Sequence, residues 1–162
     1  MTDGPPAPHR RSASPDARDT AAAEKACKKA IIGSGNTTVE VQFPEQKPID
    51  VDSKLVVFNG GFSGGTTTLY IHAYFSAPVT GAIVTTLKIK KVHNGRYGLK
   101  TVATIPKIAG GSGSVKTFDL KINKKGVLTA KCPDGKLQAK ASAIFSDGTK
   151  ASAGIIRTCT GT

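Results

Sequence analysis

The chain has no tryptophan, one methionine and three histidines, and aromatic residues make up only 6% of its 162 positions. No apolar run approaches the roughly 20 residues that a membrane-spanning helix needs. The longest, LVVF and GAIV, are the length of buried strands. Only His72 and His93 lie outside the N-terminal tail, and no H-x-x-x-H or C-x-x-C spacing occurs, so nothing marks a zinc site. A phosphate-cradling Walker loop and a dinucleotide fingerprint are also missing, so no cofactor is expected. No stretch carries a convincing amphipathic helical pattern. Gly, Thr, Val, Ile and Ala dominate instead, a mix that suits pleated, half-buried strands with many turns.

Residues 1–26 (MTDGPPAPHRRSASPDARDTAAAEKA) are rich in Pro, Ser, Ala and Asp and nearly empty of large apolar side chains. Too little apolar surface is present to offset the entropy of ordering, so a disordered extension is expected there. The junction AAAEKACKKA (21–30) fits either a turn of helix or a direct lead into the first strand. Read as a true start, Met1 opens on no apolar secretory segment and the protein would be cytoplasmic.

Residues 27–162 form one domain of about nine short strands. Asn59-Gly60-Gly61, His93-Asn94-Gly95, Asp134-Gly135 and Asp147-Gly148 read as turns, because Gly supplies positive φ cheaply. In residues 80–92, Ile83, Thr85, Leu87 and Ile89 share one face, while Lys88 and Lys90 share the other. Val127 to Cys159 reads as a three-stranded meander with cysteines near both ends. Cys132 and Cys159 would cap the same end of that meander, a geometry that permits a disulfide. Cys27 is left to replace either partner or stay free, and three reduced thiols are the cytosolic alternative. Together the strands point to an all-β, immunoglobulin-like β-sandwich, with a barrel as the alternative.

The charge of +12 is unevenly distributed. From Ser53 onward sixteen Lys and Arg face three acids, Asp119, Asp134 and Asp147. Such an excess attracts polyanions, although lysines also keep strand edges from pairing. Lys88, Lys90, Lys91, Arg96 and Lys100 flank one hairpin turn and form the candidate contact patch. Lys107, Lys116, Lys121, Lys124 and Lys125 are candidates to extend it. Tyr70, His72 and Tyr74 alternate along one strand and form a candidate aromatic face for stacking sugars or bases. No aromatic signature of an RNA-binding sheet or cold-shock barrel is present, so nucleic acid is not the preferred polyanion. Gly61-Phe62-Ser63-Gly64-Gly65 satisfies G-x-S-x-G, but the next ten residues have a strand pattern where a nucleophile elbow needs a helix. Ser63 reads as a turn residue, and no catalytic residue is assigned.

The strings LVVFNGG (55–61), TLYIHAY (68–74), KKVHNGRYG (90–98), TVATIPKIAGGSGSV (101–115) and the Cys132–Cys159 segment resemble a group of predicted exported proteins of unknown function from actinobacteria. The resemblance covers roughly residues 27–160. It implies an extracytoplasmic immunoglobulin-like domain, usually behind a signal peptide, with the late cysteine pair recurrent. Around Gly126 this chain is shorter than that group, which carries a longer hairpin there. The expected function is non-catalytic: a cationic secreted or cell-envelope domain that binds anionic cell-wall polymer or a surface protein. A structural or protein-interaction module without polyanion binding is the first alternative, and a serine hydrolase through Ser63 the second.

Overall fold

A computed structural model describes residues 19–76, 80–129, 132 and 134–159. Residues 1–18, most of the expected N-terminal extension, lie outside that description. The described chain is mostly β. A short helix α1 (Thr20–Ala26) leads through a 3-10 turn (Lys28–Ala30) into β1 (Ile31–Val41). Then follow β2 (Ile49–Ser63), β3 (Thr66–Phe75), β4 (Gly81–Asn94), β5 (Tyr97–Thr104), β6 (Gly113–Ile122), β7 (Lys136–Ile144) and β8 (Lys150–Thr158). Six strands form one antiparallel sheet in the order β5-β4-β3-β2-β1-β6, and β7 pairs only with β8. No helix among the described residues is long and apolar enough to cross a membrane.

The first five strands are a plain meander, and β6 returns to pair with β1 on its free side. Register shifts at Ile31/Gly33, Thr38/Val39, Asn59/Gly61 and Lys91/Asn94 place irregularities along several strand pairs. Bulges of this kind bend the bulged strand and increase its twist, so the sheet curls around one core. That core contains Val39, Val41, Leu55, Val57, Leu69, Ile71, Ala73, Phe75 and Ile89. Ile108, in the connection from β5 to β6, packs into the same cluster beside a 3-10 turn (Ala109–Gly111). Ile108 thus anchors the β5–β6 connection in the core.

The run LVVF is apolar at every position because β2 is buried on both faces. Leu55 and Val57 enter the core, while Val56 and Phe58 lie on the other side with Ala23 of α1. At roughly 1.5–3 kcal/mol for each large side chain taken from water, this pair gives the small helix a reason to dock. The Asp19 carboxylate caps α1 by accepting from the Ala22 N–H at 2.7 Å, and Glu24 meets Lys54 of β2 at 2.7 Å. Residues 20–26, grouped by composition with the extension, are thus helical and packed.

One expected turn and one expected strand differ. Asn59-Gly60-Gly61 is a bulge inside β2, with the Gly61 N–H donating to the Asn59 side chain at 2.9 Å. The hairpin turn comes three residues later at Gly64 (φ 55°) and Gly65 (φ 72°), consecutive positive-φ positions that match the right-handed twist of the strands. Of the expected three-stranded meander two strands form a hairpin, and among the described residues 127–129 no strand forms, Val127 packing against the core. The Asp147-Gly148 turn joins β7 to β8, and Cys132–Cys159 closes the base of the hairpin, with Cα atoms 6.3 Å apart. Cys27 is free and half-buried.

Candidate cationic face

Period-2 alternation sets the two faces of β4. Ile89 enters the core, and Lys88 and Lys90 project from the outer face, both exposed. The register extends that outer face across neighbouring strands. Lys90 lies between Thr66 of β3 and Lys100 of β5. Lys88 lies between Thr68 and Val102. Ser63, the last residue of β2, is the partner of Thr66. One row therefore reads Ser63, Thr66, Lys90, Lys100 over four strands. Positions in a row are about 5 Å apart, and the next row begins about 7 Å along the strand.

The electrostatics of this face are unbalanced. Like charges directly opposite one another destabilise a strand pair, and Lys90 and Lys100 are such a pair. Ion pairs among the described residues engage Lys54, Arg96 and Lys116, whereas Lys88, Lys90 and Lys100 have no carboxylate within ion-pair distance. The patch is thus smaller than the one read from the sequence. Lys91 is the partner of Leu99 and falls on the opposite parity of β4. Arg96, in the β4–β5 turn, meets Asp134 at 2.6 Å. Asp134 also accepts from the Lys136 N–H, and this hydrogen bond, followed by Arg96, holds its carboxyl below the usual value.

Other basic residues stand elsewhere. Lys116 and Lys121 belong to β6, the edge strand opposite β5. Lys116 is bound to Asp50 at 2.9 Å and Glu40 at 3.5 Å, and the hydrogen bond it donates to Asp50 raises its pKa. Together with Asp52, these acids make the β1–β2 end of the outer face acidic, beside an open groove of about 350 Å³. The outer face therefore carries acids at one end and unneutralised lysines at the other.

Tyr70, His72 and Tyr74 do share the outer parity of β3, but they do not form an open row. His72 is fully buried beside Val56, while the two tyrosines are half-buried. Tyr70 packs in the cluster that α1 covers. Ser63 is exposed and passes through the Gly64-Gly65 turn into β3, so no helix follows it. Among the described residues no three His, Cys, Asp or Glu side chains gather as a metal site.

The hydroxyls of Ser63, Thr66 and Thr68 beside these lysines were missed in the sequence. The alternation in TTTLYIHAYF puts Thr66 and Thr68 on the parity of Tyr70, but only the strand register brings them beside the lysines. No family model, curated protein or solved structure matches this chain.

Proposed function

We propose that this protein is a non-catalytic, cationic, secreted or cell-envelope domain that binds anionic cell-wall polymer. The contact surface is Lys88, Lys90 and Lys100 on the outer face of β4 and β5. The observation that carries this reading is the cross-strand pair Lys90–Lys100, with Lys88 beside it and no carboxylate partner for any of the three among the described residues. A bound polyanion would relieve their repulsion. The Cys132–Cys159 disulfide supports an oxidising location, since such bonds persist outside the cytosol. The sequence resemblance to exported actinobacterial proteins points the same way. Within this reading the fold is immunoglobulin-like, built on the curled six-stranded sheet, with the cross-linked β7–β8 hairpin beside it.

The test is co-sedimentation of the purified protein with isolated wall polymer. The triple variant Lys88→Gln, Lys90→Gln, Lys100→Gln should remain in the supernatant, while Lys121→Gln, Lys140→Gln, Lys150→Gln should pellet like the parent. Equal pelleting of both variants would end the proposal.

A protein-interaction module is the second reading, and the β7–β8 hairpin favours it. Ile144, Phe145, Ile155 and Ile156 are each more than half exposed there. On this reading the triple lysine variant keeps all its binding, and changes on the hairpin remove it.

A further inference from the structure

The outer face of β3–β4 repeats a unit. Thr66 is the partner of Lys90, and two residues along the strands Thr68 is the partner of Lys88. Each unit sets a hydroxyl donor beside an ammonium, and the second lies about 7 Å from the first. A repeated donor pair at a fixed step suits a polymer with repeated acceptors. The two units differ in their third position, which is Lys100 beside Lys90 but Val102 beside Lys88.

Cβ atoms of opposed residues are about 4.5–5.5 Å apart. Charge-assisted N–H···O bonds run about 2.7–2.9 Å, so one anion between the Lys90 and Lys100 side chains can be reached by both ammoniums. The geometry points to a linear phosphodiester polymer as the ligand, with one phosphate held jointly by Lys90 and Lys100 and the next held by Lys88. With the shared phosphate seated above Lys90 and the long Lys100 side chain leaning across from β5, the Thr66 hydroxyl donates to it from the β3 side, and the Thr68 hydroxyl donates to the following phosphate. This inference rests on the polyanion reading above and goes further, in naming the anion and the residues that share it. A phosphodiester suits the site better than a carboxylate. Donors can approach its two unbridged oxygens from well outside the O–P–O plane, as donors from three strands must, whereas a carboxylate accepts best near its own plane. Arg96 does not extend the site, because Asp134 already occupies its guanidinium.

The experiment measures binding of the full chain to poly(glycerol phosphate) and to poly-γ-glutamate of matched charge, by fluorescence polarisation at low salt. Lys90→Gln and Lys100→Gln should each weaken phosphate-polymer binding about tenfold, as expected for a lost hydrogen bond to a charged group. The double variant should lose little more than either single change, because both residues serve one anion. Combining Lys88→Gln with either should multiply the losses, to about a hundredfold, because it serves a separate phosphate. Thr66→Val, which keeps the branched shape, should weaken phosphate-polymer binding about threefold and leave poly-γ-glutamate binding unchanged. Fully multiplicative losses for Lys90 and Lys100, or equal affinity of the parent for both polymers, would overturn the inference and leave the cationic face standing. Failure of the parent to bind either polymer would overturn both.

Discussion

Removing the Cys132–Cys159 bridge should melt one part of the protein and spare the rest. The bridge spans 27 residues, and nearly all of that span is the β7–β8 hairpin. In the chain-entropy account, closing such a loop stabilises the folded state by about 3.5 kcal/mol. How that loss is felt depends on what the hairpin is coupled to. Every residue of β8 is exposed, as is every residue of β7 except Gln138, and neither strand pairs with the six-stranded sheet. A lone two-stranded hairpin is marginal in water, so losing this constraint should unfold it locally. In Cys132→Ser, Cys159→Ser, hydrogen–deuterium exchange should show lost protection at 136–144 and 150–158, with β1 to β4 unchanged. The melting temperature of the main sheet should stay within a few degrees. Were the same energy shared by one cooperative unit of this size, the melting temperature would fall by roughly 10 °C. A fall of that size, or a hairpin that stays protected, would refute the reasoning.

Further expectations follow from particular contacts. An added Cβ at Gly35 would run into the Asp119 backbone carbonyl of β6, so Gly35→Ala should lower stability by about 2 kcal/mol or more in urea denaturation and expose β6 to exchange first. Phe58→Ala should cost about 3–5 kcal/mol in the same assay and loosen α1, because Phe58 is fully buried in the cluster containing Ala23. The carboxyls of Asp134 and Asp147 are held below their usual 3.8, the first mainly by the Lys136 N–H and the second by the Thr149 hydroxyl and N–H. Their contribution is complete above that value and lost as pH falls through the folded values, so exchange protection of the hairpin should fall below about pH 4 before that of the sheet.

How far the sequence could be read varied with the range of the interaction. The alternation of Ile83, Leu87 and Ile89 against Lys88 and Lys90 is a local period-2 pattern, and β4 follows it. The Asp147-Gly148 hairpin turn was legible for the same reason. Asn59-Gly60-Gly61 misled because Gly favours bulges as well as turns, and only the later Gly64-Gly65 pair closes the hairpin. The N-terminal boundary was obscured because a seven-residue helix has little intrinsic stability, and α1 owes its existence to Val56 and Phe58 some thirty residues on. Pairing of β1 with β6 is likewise long-range and leaves no local pattern. For the candidate site, composition exposed the excess of lysine but not its distribution. Arg96 was lost to Asp134, 38 residues away, and Lys91 to the opposite parity. Lys100 gained its importance only from its register with Lys90.

The most direct test of the account is the salt dependence of binding to a phosphate-containing wall polymer, measured for the parent and for Lys88→Gln, Lys90→Gln, Lys100→Gln. If the face neutralises two or three phosphates, the logarithm of the association constant should fall with the logarithm of salt at a slope of about −1.4 to −2. In the triple variant the slope should approach zero and low-salt affinity should collapse. An unchanged slope in the variant, or parent binding that ignores salt, would contradict the claim that these three lysines are the binding surface.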